Sequence, residues 1–491
     1  MRTLLFFLVF FLVAPMTTFT QTGFYDFPYT VSSLFGTNYF SFVIPRPGNS
    51  SQSVRMMGMP QGFRGLIADE YTDWFRNPAR DAGAGKTELY GFGSTGSNFM
   101  VGAIANSGSN RFGVFGMANF FSDSDAKSGF TSQTSSTPPF SSSTEFEYGS
   151  SSQEWGGMAL YRVELSSETA LGLSYEFQRS TNSQTANRVY SSPSPRSSSA
   201  TQEENSTKVP MHSIGAGFAG NFDDAALALR AKIVFSSPSI DDSRSESETT
   251  QSTMRQTTRS SPTDLSTTGF LVGGEYAFPP CDNFRVRTLL EFSMTNYDAP
   301  VNWQYFDGFG DSVFRSTTDQ VVRGNLDGTI LDVIAGASVE RQLTSTWTLY
   351  GGAVVNYVRN KYDMSEQSLT TSRFTSQTST TTSSASRKYT IAALLIRLPI
   401  AAEFELTNAL TFRGGVMPEF YSTPTSSSET RTEQQFNSTT KSDTESGNKQ
   451  IRFFATLGAS LHDDEYGEVH AAYGMTEKGF QMWSVAMRLR P

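Results

Sequence analysis

Beyond residue 87 the chain alternates apolar and polar positions with a period of two. Trp155, Gly157, Ala159, Tyr161, Val163 and Leu165 fall on one face, and Glu154, Arg162 and Glu164 on the other. Leu171, Leu173, Tyr175 and Phe177 alternate with Gly172, Ser174, Glu176 and Gln178, and Leu227, Leu229, Ala231, Ile233 and Phe235 alternate with positions that include Arg230 and Lys232. The same split recurs at Phe284 to Met294, Leu331 to Val339 and Leu410 to Phe420. Successive side chains of a strand point to opposite sides, so each segment predicts a strand with one greasy and one polar face.

Connections alternate between short and long. Ser166-Ser167-Glu168, Asp223-Asp224, Pro279 to Asp282, Leu343-Thr344-Ser345 and Thr407-Asn408 are tight turns. Between them lie polar stretches near Ser122 to Ser152, Ser180 to Pro210, Ser236 to Thr267, Asp298 to Gly328, Asn360 to Arg387 and Ser422 to Lys449, most of them rich in Ser and Thr. These read as mobile outer loops, because such composition buries too little apolar surface to fold by itself. The expected fold is all-β: a transmembrane antiparallel β-barrel of about 14–16 strands, turns on the periplasmic side and long loops outside, with an N-terminal plug in its lumen. A soluble sandwich also alternates, but aromatic spacing separates the two. Trp347 and Tyr357 share a face ten positions apart, which at about 3.4 Å per residue and a tilt near 40° projects to roughly 26 Å, the spacing of two membrane girdles. Phe270 with Phe278 and Phe412 with Phe420 give a slightly shorter rung.

The start of the chain fits export. Met1-Arg2-Thr3 precedes an apolar run from Leu4 to Val13, too short to span a bilayer, with Thr18 and Thr20 placed for cleavage. The predicted organisation is a signal peptide over 1–20, an aromatic-rich and hatch-like segment over 21–86, and the barrel over 87–491. After the run from Leu4 to Val13 no apolar stretch approaches the roughly 18 residues a membrane helix needs, and mean hydropathy is -0.33, so the mature protein is either soluble or crosses a membrane as strands. The single Cys281 excludes an intrachain disulfide, and a net charge of -9 argues against a nucleic-acid partner.

Sequence motifs for chemistry are decoys. Gly91-Phe92-Gly93-Ser94-Thr95-Gly96 spells a dinucleotide fingerprint but leads into a strand pattern rather than a helix. Gly85-Lys86-Thr87 lacks the first glycine of a phosphate loop, since Arg80 stands there. His212, His462 and His470 have no metal-ligand spacing. No catalytic group, metal or cofactor is implied, so an enzyme is not expected.

The informative segment precedes the first strand. Val54-Arg55-Met56-Met57-Gly58-Met59-Pro60 is followed by Ala68-Asp69-Glu70-Tyr71-Thr72-Asp73-Trp74-Phe75-Arg76-Asn77-Pro78-Ala79. Asp69 is placed to cap a short helix with Ile67, Tyr71, Trp74 and Phe75 on one side, and Pro78 drives Asn77 out of helical geometry. The run from Met57 to Ala79 resembles the start of FadL-type outer-membrane transporters for long-chain fatty acids and other hydrophobic compounds. There a Met-Gly-rich stretch, an Asp-Asp-like step and Asn-Pro-Ala lead into the barrel. The resemblance implies a luminal hatch carried by Gly58, Asp69, Glu70, Trp74, Phe75, Asn77, Pro78 and Ala79. It departs at Asp69-Glu70, where the family has Asp-Asp, and at Arg80, where it usually has Gly.

Two further features bear on a path. Phe24, Tyr25, Phe27, Tyr29, Phe35, Tyr39, Phe40 and Phe42 make the leading segment dense in aromatics, suited either to a greasy conduit or to an extra plug or strand. Pro399 interrupts one strand and Pro418 lies on the next, and folding back at Thr407-Asn408 brings them within a few residues of each other, which marks this stretch for a lateral opening or for plain curvature. Inward charges of both signs suit a plug-filled lumen better than an ion filter. The expected function is passive uptake of a hydrophobic small-molecule ligand across the outer membrane of a Gram-negative bacterium, among outer-membrane lipids. The alternatives are a PorV-like accessory barrel with secretion-system proteins as partners, and a surface adhesin or structural porin.

Overall fold

The computed structural model describes residues 29–35, 38–44, 59, 63, 66–80, 87–94, 98–134, 140–193, 196–249, 254–310, 315–375, 377–433, 438–463, 467–476 and 481–489. Strands β1 (Tyr29–Phe35) and β2 (Asn38–Ile44) form a separate hairpin, and helix α1 (Glu70–Arg76) follows. The expected signal peptide and Gly58 lie outside the described residues.

The wall begins with β3 (Glu88–Ser94), β4 (Asn98–Ser107), β5 (Asn110–Thr134), β6 (Phe140–Glu164), β7 (Thr169–Pro193) and β8 (Arg196–Phe222). It continues through β9 (Ala225–Ser236), β10 (Ser239–Thr249), β11 (Met254–Asp264), β12 (Ser266–Ala277), β13 (Phe284–Gly310), β14 (Arg315–Gln342) and β15 (Trp347–Phe374). It ends with β16 (Gln377–Arg397), β17 (Ile400–Thr407), β18 (Leu410–Glu433), β19 (Ser438–Asp463), β20 (Gly467–Thr476) and β21 (Gln481–Leu489). All 19 segments belong to one antiparallel sheet, and β21 pairs with β3 from Ser484↔Ser94 to Leu489↔Leu89, which closes it into a barrel. Three traverses are split, β9 from β10 at Ser237-Pro238, β11 from β12 at Leu265, and β16 from β17 at Leu398-Pro399, so the described chain crosses the wall sixteen times. The even count returns both ends of the wall to one side.

The outer face is apolar. Val101, Val114 and Leu457 are each 64 % exposed, and Leu173, Ile214, Leu290 and Ile400 are also turned outward. So continuous an exposed apolar band belongs against lipid. Aromatic rings border it at two levels. Toward the short turns, Trp347 stacks on Phe404 at 4.6 Å, Phe112 meets Tyr161 at 4.8 Å, and the Arg341 guanidinium covers Phe284 at 4.9 Å. At the other level Trp155, Phe177 and His212 lie in a row with centroids 5.1 and 4.9 Å apart, and Phe270 meets Phe292 at 5.8 Å. The inner face between the girdles carries charge pairs, Lys232 with Glu176 at 2.7 Å and Arg413 with Glu403 at 3.2 Å, beside apolar patches such as Tyr90, Ile104 and Phe115.

The strands do not stop at the membrane. A tilted span needs about 9–11 residues, whereas β5 to β7 have 25 each and β14 and β15 have 28. The polar stretches expected to be loops, from Ser122 to Ser152 through Ser422 to Lys449, are for the most part these continuations. On β13 and β14 the pairing runs unbroken from Phe284↔Arg341 to Gly310↔Arg315. The expectation failed because the two faces exchange character at the girdle. On β15 the outward positions change from Trp347, Leu349, Val355 and Tyr357 to Lys361, Asp363, Ser365 and Gln367. The inward ones change from Asn356 to Tyr362 and Met364, which are buried with Ile240, Leu265, Tyr297, Ala299, Val322, Leu326 and Ile330 in one apolar cluster. The lower wall is therefore greasy outside, and the upper wall is built like a water-soluble barrel. Ladder bonds and cross-strand polar pairs hold the extensions, among them the forked Arg255 to Asp307 contact at 3.0 and 3.1 Å and Gln320 to Ser368 at 2.8 Å.

Hydrogen exchange separates paired extensions from loops. Backbone amides from Val322 to Ile330 should exchange as slowly as those of the membrane band, and exchange at the rate of an open chain would refute the pairing. The closed barrel should also migrate differently on gels before and after boiling, and unchanged mobility would count against it.

Candidate functional site

The hatch-like segment lies inside the barrel. Helix α1 is brief. The Asp69 N–H donates to the Asp73 carboxylate at 3.4 Å, the Asn77 N–H closes the last turn on the Asp73 carbonyl at 2.8 Å, and Pro78 ends it. Trp74 and Phe75 are buried against Tyr90, Ile104, Phe115 and Leu160 of the wall, with the Phe75 ring edge-on to Phe115 at 5.0 Å. The Tyr71 and Glu70 side chains lie outside the described residues.

A row of register partners receives this segment. Arg111, Arg162, Gly172, Gly217, Arg230, Gly273 and Glu291 face one another in turn across β5, β6, β7, β8, β9, β12 and β13. Glycines supply the room and long polar side chains the bonds. A Cβ on Gly172 would lie 2.2 Å from the Pro78 carbonyl carbon, and one on Gly217 would lie 1.9 Å from Asn77 Oδ1. In those gaps Asn77 Nδ2 donates to the carbonyls of Phe218 at 3.3 Å and Leu229 at 3.0 Å, while its Oδ1 accepts the Ala79 N–H at 3.0 Å. Arg162 donates to the Ala79 carbonyl and Arg230 to the Arg76 carbonyl, each at 3.0 Å. The Trp74 indole N–H donates to the Pro78 carbonyl at 3.1 Å. Asn-Pro-Ala is thus a docking motif.

Buried charge fixes the same half. Arg76 is ion-paired with Glu291 and lies 3.2 Å from Glu275; Arg80 lies 2.5 Å from Glu275 and 3.7 Å from Asp73. Arg230 joins at 2.6 Å from Glu291, and Arg287 at 3.8 Å from Asp73. Burial alone would lower the Arg76 pKa, but the Glu291 and Glu275 carboxylates outweigh it and hold the guanidinium above its ordinary range. Arg80 is raised in the same way by Glu275 and Asp73. Asp73 goes the other way. Burial pushes its carboxyl up to about 6, helped by Glu275 and Asp69 and opposed by Arg80 and Arg287. Removing one member of such a buried pair strands the other and costs about 3–5 kcal/mol.

The rest of the hatch is held by apolar contact. Met59, Phe63 and Ile67 pack with Tyr350 and Ala401, and Leu66 packs with Leu289 and Val354. Beneath Asp69 to Arg80 a cavity of about 380 Å³ reaches the short turn Ser166 to Thr169 and is lined by Arg162 and Arg287.

The hatch residues Asp69, Trp74, Phe75, Asn77, Pro78 and Ala79 are brought together here. Pro399 and Pro418 lie apart from them but near each other. Leu398 N–H donates to the Pro418 carbonyl at 3.1 Å, and Gly352 N–H to the Pro399 carbonyl at 2.9 Å, so backbone bonds span the interruption. Gly91, Phe92 and Gly93 are part of strand β3. Glu275 escaped the sequence reading, although its alternation with Phe270 and Phe278 turns it inward.

No protein-family model matches the chain, and no curated protein matches it. Among solved structures it is similar to the Pseudomonas putida toluene transporter TodX, with 11% identity over 90% of this chain and 97% of that one, at a TM-score of 0.38. A Pseudomonas aeruginosa FadL homologue gives 11% identity over 89% and 97%, at 0.34. The translocator domain of the Neisseria meningitidis autotransporter NalP gives 12% over 60% and 87%, at 0.25. The barrel itself is established by the closed ladder, not by these likenesses.

Gly172→Ala should dislodge Asn77-Pro78-Ala79 while the barrel stays folded, seen as fast thiol labelling of an Ala79→Cys reporter with an unchanged gel shift. Slow labelling would mean that the contact with Gly172 is not what seats the motif. The raised Asp73 pKa has a sign. Its contribution to seating is complete below about pH 4, where the carboxyl is neutral in both states, and is lost as pH rises through about 6. Wild-type hatch should therefore resist denaturant better at pH 5 than at pH 7, relative to Asp73→Asn; parallel profiles would refute this.

Proposed function

We propose that this protein conducts hydrophobic small molecules passively across the outer membrane of a Gram-negative bacterium, past a hatch that fills the lumen at the short-turn end. The observation that carries this reading is the composition of the seal. One half of the hatch is bound by buried ion pairs and the other meets the wall through apolar side chains, an arrangement suited to apolar cargo and ill suited to ions or water. The resemblance of Met57 to Ala79 to FadL-type transporters points to the same class, with long-chain fatty acids as the first substrates to try. No energy source or covalent step is required.

A second reading, an accessory barrel of a secretion system, is favoured by the tall polar wall above the membrane band, which offers secreted proteins a broad surface. The two differ in outcome. Transport predicts that vesicles containing the barrel accumulate labelled fatty acid and that lipid co-purifies with it; failure of both would sink it. The accessory role predicts loss of surface display of secreted proteins on deletion. A lateral opening at the Leu398-Pro399 interruption belongs to the first reading and predicts that replacing Pro399 and Pro418 together by Val lowers uptake severalfold. Undiminished uptake would remove the opening while leaving the channel.

A further inference from the structure

The two halves of the hatch are held by different chemistry, and that difference locates a ligand seat. From Asp73 to Arg80 the segment is joined to the wall by Arg76 and Arg80 ion pairs and by the Asn77 side-chain amide. None of these bonds can be replaced by a hydrocarbon. Met59, Phe63, Leu66 and Ile67 instead fill an apolar recess against Tyr350, Ala401, Leu289 and Val354. Glycines hollow this recess: a Cβ on Gly352 would lie 3.3 Å from the Phe63 ring, and one on Gly336 would lie 3.1 Å from Leu66 Cδ1. Phe63 meets Tyr350 edge-on at 6.2 Å. The directional bond here runs from the Ser338 hydroxyl to the Leu66 carbonyl at 2.5 Å.

We propose that this recess is the seat for the apolar part of the transported molecule, and that the Met59, Phe63, Leu66 and Ile67 side chains are its displaceable stand-in while Asp73 to Arg80 stays on the wall. This rests on the transport reading above. Exchanging one apolar occupant for another leaves the buried apolar area nearly unchanged, so a hydrocarbon can compete with these side chains. Withdrawing the ion-paired half would instead take both Arg76 and Arg80 from buried Glu275 and leave Glu291 with Arg230 alone. The occupant that fits is an unbranched chain or a flat ring, with at most one acceptor within reach of the Ser338 hydroxyl. A carboxylate end is directed out of the recess, because Glu403 accepts from the Tyr350 hydroxyl at 3.3 Å at its edge.

Thiol labelling tests this in the full chain in lipid vesicles, with exposed Cys281 replaced by Ser. Single reporters Phe63→Cys and Ala79→Cys are labelled with a maleimide, with and without oleate or toluene. The expected result is a rise of roughly tenfold at position 63 and little change at position 79. Leu66→Cys repeats the reading at a second of these side chains, separating displacement from loosening caused by losing one ring. An equal rise at both positions would overturn the proposal, since the whole hatch would then be leaving. Unchanged labelling at 63 and 66 overturns it whether or not oleate uptake occurs. A rise confined to positions 63 and 66 in vesicles that take up no oleate would support the seat and sink the transport reading.

Discussion

A backbone amide inside lipid has no water to bond, so each N–H and C=O of a spanning segment must find its partner within the wall. Here the requirement is met by closure of β21 on β3, and the other features follow from it. Once the ring is closed, one face of every strand must meet lipid and the other must meet whatever fills the lumen. The filling is the chain's own leading segment. Its Asn77-Pro78-Ala79 motif is received by a wall that sets glycines beside arginines and a glutamate along one row of register partners.

Shared pairing offsets part of the cost of burying charge at this seat. The two carboxylates ion-paired with the hatch each have more than one guanidinium near them: Glu291 has Arg76 and Arg230, and Glu275 has Arg76 and Arg80. The shared pairing makes docking specific in position, because a shift of the hatch by one residue would set charges against glycines. Asp73 is the weak member: burial raises its pKa, and the neighbouring Glu275 and Asp69 add to the rise.

The lower wall was legible in the sequence because lipid outside and polar groups inside give strong contrast at period two. Asn77-Pro78-Ala79 was legible as a motif, because proline ends a helix by local sterics. Its receptors were not. A glycine such as Gly172 or Gly217 in a strand has many local explanations, and only the folded register shows that it faces Asn77 or Pro78. Arg80, where the family resemblance has glycine, makes sense only beside Glu275, far along the chain. The upper wall was misread for a different reason. Its strands keep the same phase, but inside and outside exchange character above the girdle, and Ser and Thr blur what contrast remains.

The unbroken pairing of β13 with β14 through this exchange constrains how such a molecule can change over descent. Inserting one residue within a strand would turn every side chain beyond it to the opposite face, putting Tyr297 outside and Asp298 inside. Only additions of two residues, matched on the neighbouring strand, preserve both zones. The height of the wall can therefore drift among descendants in paired steps, while the hairpin tips are free to vary in any number.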